Sequence, residues 1–228
     1  MNTIFSPSLM SIDYLNVKEQ IEIMNNYVQM YHVDIMDAHF AKNLSLSPSF
    51  IKAIRPLTEL PIDAHIMADD PTNFLVDSAI DAGADIISLH AETIQINAFR
   101  TLRDIKSKGK KFGVAVCPAT PLSMIDAYID EIDMLTIMGV DIGYAGQKFI
   151  PQTIAKIKQA YKIRNDRRLN FDIQVDGGVN KNIYKLLSDS GVNVFVMGAS
   201  ALFMKDIPFE ESCRRMVREF AEATALEL

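Results

Sequence analysis

One feature constrains this chain more than any other: an alternation repeated from end to end. Eight short apolar runs of β type occur at 4–10, 30–36, 61–67, 84–90, 111–117, 133–139, 171–177 and 192–198. Between them lie stretches with helical spacing, such as "YLNVKEQIEIMNNYV", "NFLVDSAIDAGA", "INAFRTLRDIKSKGKK" and "IPQTIAKIKQAYKIRNDRR". A last one, "PFEESCRRMVREFAEATALEL", closes the chain. Ser47-Pro48, Asp70-Pro71 and Asn180 read as helix starts, and Gly83, Gly109 and Gly191 as helix ends. Strict β–α alternation makes the strands parallel, because each helix is the crossover that returns the chain to the same end of the sheet. Eight such units in 228 residues predict a single (β/α)8 TIM barrel spanning 1–228. The competing topology, a doubly wound open sheet, would need a Gly-rich dinucleotide turn after the first strand, and none is there.

Barrels of this kind keep their chemistry at the C-terminal ends of the strands, where the βα loops gather. Side chains alternate between faces along a strand, so residues two apart share a face. That groups His32, Asp34 and Met36 in the second run, and Asp63, His65 and Met67 in the third. It also groups Thr136 with Met138 in the sixth run and Gln174 with Asp176 in the seventh. With these faces inward, the barrel mouth holds two histidines and two aspartates ringed by methionines. Such a donor set suits a borderline divalent ion such as Zn²⁺, Mn²⁺, Fe²⁺ or Co²⁺. Asp63 reads as a deeper residue in a structural hydrogen bond. His39 falls past its strand end, and His90, ending the fourth run, either lines the mouth or has a non-ligand role. Met36, Met67 and Met138 read as core filler or as an apolar wall over the reactive centre.

Glycine-bearing segments follow the last three runs: "DIGYAGQKF" (141–149), "DGGVN" (176–180) and "MGASALF" (197–203). Glycines let the backbone approach an oxyanion, and the loops after strands 7 and 8 are the usual phosphate site of these barrels. The charge balance fits a small anion in a local pocket better than a polyanionic partner. A net charge of −6 argues against nucleic acid or an anionic membrane. Cys117 and Cys213 lie far apart with no metal-type spacing. With no signal peptide and no long apolar run, the chain reads as a cytoplasmic protein with reduced thiols.

Six segments together resemble the ribulose-phosphate 3-epimerase family: "SPSLM" (6–10), "HVDIMDAHF" (32–40), "IDAHIM" (62–67), "GYAGQKF" (143–149), "VDGGVN" (175–180) and "GASALF" (198–203). The resemblance implies a barrel of the ribulose-phosphate-binding type and His32, Asp34, His65 and Asp176 as ligands of one divalent metal ion (zinc, manganese, cobalt, iron or magnesium). Asp34 and Asp176 would double as the acid–base pair. Ser8 and His65 would meet the substrate, a small-molecule sugar phosphate. Gly143, Tyr144, Ala145 and Gly146, with Asp176, Gly177 and Gly178 and with Gly198, Ala199 and Ser200, would surround its phosphate. A homo-oligomer, dimer or hexamer, is also implied. Within the family, "NLSLSP" (43–48), "LHAETI" (89–94), "GYAGQKFIP" (143–151) and the "GAS" turn resemble enzymes acting on D-allulose 6-phosphate more than those acting on pentulose phosphates. The chain departs from the family pattern at Ala38, where glycine is usual, at Ala41-Lys42 for Val-Pro, and at Ile142 for proline.

Epimerising a carbon beside a ketone removes a proton from one face and returns it on the other, which two carboxyl groups on opposite sides can do. A divalent ion acting as Lewis acid takes up the charge of the enediolate. The expected reaction is therefore metal-dependent interconversion of D-allulose 6-phosphate and D-fructose 6-phosphate. The alternatives are D-ribulose 5-phosphate/D-xylulose 5-phosphate epimerisation, a metal-dependent decarboxylase, and a non-catalytic sugar-phosphate-binding barrel.

Overall fold

The computed structural model describes residues 3–72, 74–204 and 206–225. The ends of two expected helical stretches, at Asn73 and at 226–228, lie outside them. Among the described residues eight strands form one sheet: β1 (Ile4–Pro7), β2 (Tyr31–Met36), β3 (Ile62–Met67), β4 (Ile86–His90), β5 (Lys111–Val116), β6 (Met134–Met138), β7 (Asp172–Asp176) and β8 (Val194–Met197). All pairings are parallel, in the order β1-β8-β7-β6-β5-β4-β3-β2. The first and last strands of that order meet in a parallel bridge between Ser8 and His32, which joins the ends of the sheet into a (β/α)8 barrel.

The helices are α1 (Val17–Met24), α2 (Pro48–Ile54), α3 (Leu75–Ala82), α4 (Ala91–Ile94), α5 (Ala98–Ser107), α6 (Thr153–Asp166), α7 (Tyr184–Asp189) and α8 (Phe209–Thr224). Between β5 and β6, strict alternation fails. Pro118 and Pro121 punctuate that stretch, and the chain makes only 3₁₀ turns at Leu122–Ile125 and Ile129–Glu131. Ser47 does precede a helix with Pro48 in its first turn, and Gly83 closes α3 in the left-handed region at φ 105°. Asp70 and Asn180 are not caps. Asp70 accepts the Thr72 hydroxyl, and α3 begins only at Leu75. Asn180 ties its own turn, donating to the Gly178 carbonyl and accepting the Asn182 N–H, so α7 starts at Tyr184. In both cases the short polar side chain satisfies a local loop in place of a helix end. No helix among the described residues is long and apolar enough to cross a membrane.

Outward-facing strand residues such as Val33, Ile35, Ile66 and Val175 are buried against the helices in one continuous core. The inside of the barrel is stacked in layers. Met30, Ile86, Met134 and Val194, from just before β2 and from β4, β6 and β8, form an apolar plug with Ile4 at the N-terminal end. Buried polar side chains lie above the plug. Ser88 donates to Asp63 at 2.7 Å, and Thr136 donates to Gln174 at 2.7 Å. This stacking lifts the next layer, the histidines and aspartates, to the C-terminal mouth.

Candidate active site

The strand registers that set Asp34 beside His65 and Met138 beside Asp176 bring the polar ends of β2, β3 and β7 to one level. His32 Nε2 lies 3.1 Å from His65 Nδ1. Asp34 Oδ1 is 3.2 Å from His65 Nδ1 and 3.3 Å from His32 Nε2. Asp176 Oδ2 is 3.5 Å from His65 Nδ1 and 3.7 Å from His32 Nε2. One ligand atom from each of the four residues falls within 4.8 Å of every other. The family-type ligand set is therefore brought together, with nitrogen and carboxylate oxygen converging on one point.

The electrostatics fit a cation there. Burial works to raise the Asp34 pKa, but the charge and hydrogen bonds of His32 and the bonds of His65 outweigh it and hold the carboxyl well below the usual range. The same histidines lower Asp176 against its burial. Burial lowers His32, yet the charge of Asp34 and bonds to the three aspartates raise it well above ordinary histidine. Asp34, Asp63 and Asp176 thus set three acidic side chains around two imidazoles, a local excess of negative charge. A divalent cation offsets it and leaves the rings neutral, as ligands must be.

Neighbours fix the orientation of these side chains. His32 Nδ1 faces Asp63 Oδ2 at 2.9 Å, so Asp63 is the structural partner expected of it. Ser8 donates to Asp34 Oδ2 at 2.7 Å. The outer nitrogen of His65 meets His90 Nε2 at 3.0 Å, which makes His90 a buried partner of the cluster. His39 is exposed and folds back on Asp37.

Asp34 and Asp176 open into a cavity. Its walls include Ser8, Met36, Met67 and Met138, the segment Gly143–Gln147, the pair Gly177 and Gly178, and Gly198, Ala199 and Ser200. Every residue expected at the site lines it except His32 and His65, which are fully buried beneath. Glycine is required in places. Gly177 and Gly178 have φ 99° and 71°, and a methyl on Gly178 would lie 2.7 Å from the Phe149 backbone. Around Gly146 and Gly198 no atom lies within 4 Å of where a Cβ would be, so their bare backbone faces open space.

Met36 and Met67 are buried with Ala41, and Met10, Phe40 and Ile142 pack on them. Two of the departures from the family pattern, Ala41 and Ile142, thus extend the apolar wall. Sequence reasoning missed Met10, Phe40, Glu92 and Cys117. Glu92 accepts the backbone N–H of Cys117 at 2.9 Å, and Cys117 Sγ lies 3.6 Å from His90 Nδ1. Burial raises the Glu92 pKa, but bonds to His90, Thr120 and the Cys117 N–H win and hold it at about 2. The only signal for this group was Glu92 two places after His90; Cys117 arrives from the next strand.

Residues 4–203 match the sequence family described as "Ribulose-phosphate 3 epimerase family". The chain is 36% identical over 203 residues to ribulose-phosphate 3-epimerase of Bacillus subtilis (strain 168), covering 88% of this chain and 93% of that one. It is 39% identical over 206 residues to the chloroplastic ribulose-5-phosphate-3-epimerase of Arabidopsis thaliana, covering 89% and 73%. Among solved structures, 3-hexulose-6-phosphate synthase from Salmonella typhimurium superposes with a TM-score of 0.71 at 18% identity, over 97% of this chain and 100% of that one, a likeness of fold.

Proposed function

We propose, from the premise that the chain belongs to the ribulose-phosphate 3-epimerase family and is an isomerase, that it interconverts D-ribulose 5-phosphate and D-xylulose 5-phosphate. The curated relatives favour this pentulose substrate over the D-allulose 6-phosphate expected from local motifs. Those motifs are loop details, while the identity to pentulose enzymes extends over most of the chain. The observation that carries the reaction is the placement of two carboxylates from β2 and β7, with β1 and β8 between them, around one pair of histidine nitrogens.

In this reading His32, Asp34, His65 and Asp176 hold the divalent ion. When bound, it supplies Lewis-acid stabilisation of the negative charge that develops on the substrate oxygens. Asp34 takes or gives the C3 proton on one face of the sugar and Asp176 on the other. Ser8, which lines the cavity, holds Asp34 Oδ2 and so keeps the carboxylate from rotating. Asp176, with 13% of its side chain exposed against 4% for Asp34, is the more open of the two acids. Met36, Met67 and Met138 keep water away from the carbanionic carbon. The backbone of Gly143–Gly146, Gly177–Gly178 and Gly198–Ser200 receives the phosphate.

Asp176→Asn should stay folded while exchange of the C3 hydrogen with solvent deuterium falls by about 10²–10⁴-fold. Normal turnover in that variant would overturn the assignment. Comparing kcat/KM on D-ribulose 5-phosphate and D-allulose 6-phosphate, after chelation and reloading with several divalent metals, tests the substrate. A hexulose preference would reject the pentulose reading and reinstate the motif-based one.

A further inference from the structure

Next to the cluster, but outside it, lies a second convergence of metal-type donors. His90 Nδ1 is 3.4 Å from Glu92 Oε2 and 3.6 Å from Cys117 Sγ, and one ligand atom from each of the three residues lies within 4.8 Å of the others. At tetrahedral angles, zinc bonds of about 2.0–2.1 Å to nitrogen and oxygen and about 2.3 Å to sulfur set N and O about 3.4 Å apart and N and S about 3.6 Å apart. Both observed separations match those edges. The two oxygens of Glu92 have different surroundings. Oε1 accepts the Cys117 N–H and the Thr120 hydroxyl, whereas the buried Oε2 is turned toward His90 Nδ1 at 3.4 Å.

We propose that His90, Glu92 and Cys117 form a second metal site, selective for a thiophilic divalent ion such as zinc or cadmium. Imidazole, carboxylate and thiolate together carry two negative charges, so a divalent ion makes the buried complex neutral. Burial and the Glu92 carboxylate push the Cys117 thiol well up, and Lys156, whose Nζ donates to the Cys117 and Pro118 carbonyls, offsets only part of that shift, so the ion has to displace the thiol proton. Three protein ligands leave a fourth position for water, as in zinc sites of open type. The thiol requirement separates this site from the first, whose donors are all nitrogen and oxygen.

Cadmium titration of the full chain tests this, read by the ultraviolet thiolate-to-cadmium charge-transfer band. The band should appear in the unsubstituted protein and in Cys213→Ser, disappear in Cys117→Ser, and need at least about tenfold more cadmium in Glu92→Gln. It should survive in Asp176→Asn, so that failure of the epimerase reading and failure of this one are told apart. No band, a band that persists in a folded Cys117→Ser protein, or one that follows Cys213 overturns the site.

Discussion

Ala38 has φ 64°, in the left-handed region where a Cβ crowds the following carbonyl. Its N–H donates to the Asn43 carbonyl at 3.0 Å, closing the turn that carries Phe40 and Ala41 over the site. The departure from glycine noticed in the sequence is therefore a strained position. Left-handed alanine costs about 1–2 kcal/mol, offset in part by the greater flexibility glycine has when unfolded, about 0.5–1 kcal/mol. Ala38→Gly should stabilise the protein by about 0.5–1 kcal/mol, a rise of about 1–4 °C in Tm for a chain of this size. Thermal denaturation followed by circular dichroism measures it, and a lower Tm would refute the strain argument. His65 was also readable as a polar residue on an inward face. Its partner His90 was left open between two roles, because nothing local to "LHAE" says which neighbour the ring will meet.

At the scale of elements, the loops after β6 and β7 are pressed together. A methyl on Gly139 would lie 2.3 Å from the Gly177 carbonyl oxygen, a backbone atom that cannot swing aside. Gly139→Ala should therefore destabilise by about 1–3 kcal/mol or more, as overpacking does. Gly198, on the neighbouring loop, meets nothing within 4 Å and has no positive φ. Gly198→Ala should leave stability within about 0.5 kcal/mol but raise KM, because the new methyl stands in the cavity. Urea denaturation and steady-state kinetics on the two variants separate packing from binding. Equal destabilisation of both would show that the loops are not what their spacing says. Strand positions were legible from parity and apolar runs to within a few residues. The missing helix between β5 and β6 and the late start of α7 were not. Prolines and short polar side chains there compete with helix formation through contacts that periodicity does not record.

For the whole molecule, the layered barrel interior has a thermodynamic consequence. The apolar plug of Met30, Ile86, Met134 and Val194 and the polar layer of Asp63, Ser88, Thr136 and Gln174 support four titratable groups that are almost wholly inaccessible. A divalent ion held there binds the folded chain and not the unfolded one. Saturation at about 100 times Kd adds about 2.7 kcal/mol, so chelation should lower Tm by about 5–10 °C, with recovery on restoring the metal. A Tm indifferent to chelator and metal would count against the four-residue ligand set.

The sequence by itself determined the alternation of eight strands with helical segments, the inward parity of His32, Asp34, His65 and Asp176, and the glycine segments at the strand ends. Those are properties of local spacing, and a strand's period of two carries them whatever the rest of the chain does. Only the tertiary structure decided that Asp63 and His90 stand behind the two histidines, that Ala41 and Ile142 join the methionine wall, and that Cys117 approaches His90 and Glu92. Each of these contacts joins residues from different strands or from the segments that follow them. The register of neighbouring strands and the closure of the barrel set their distance, and spacing within a single segment does not encode either.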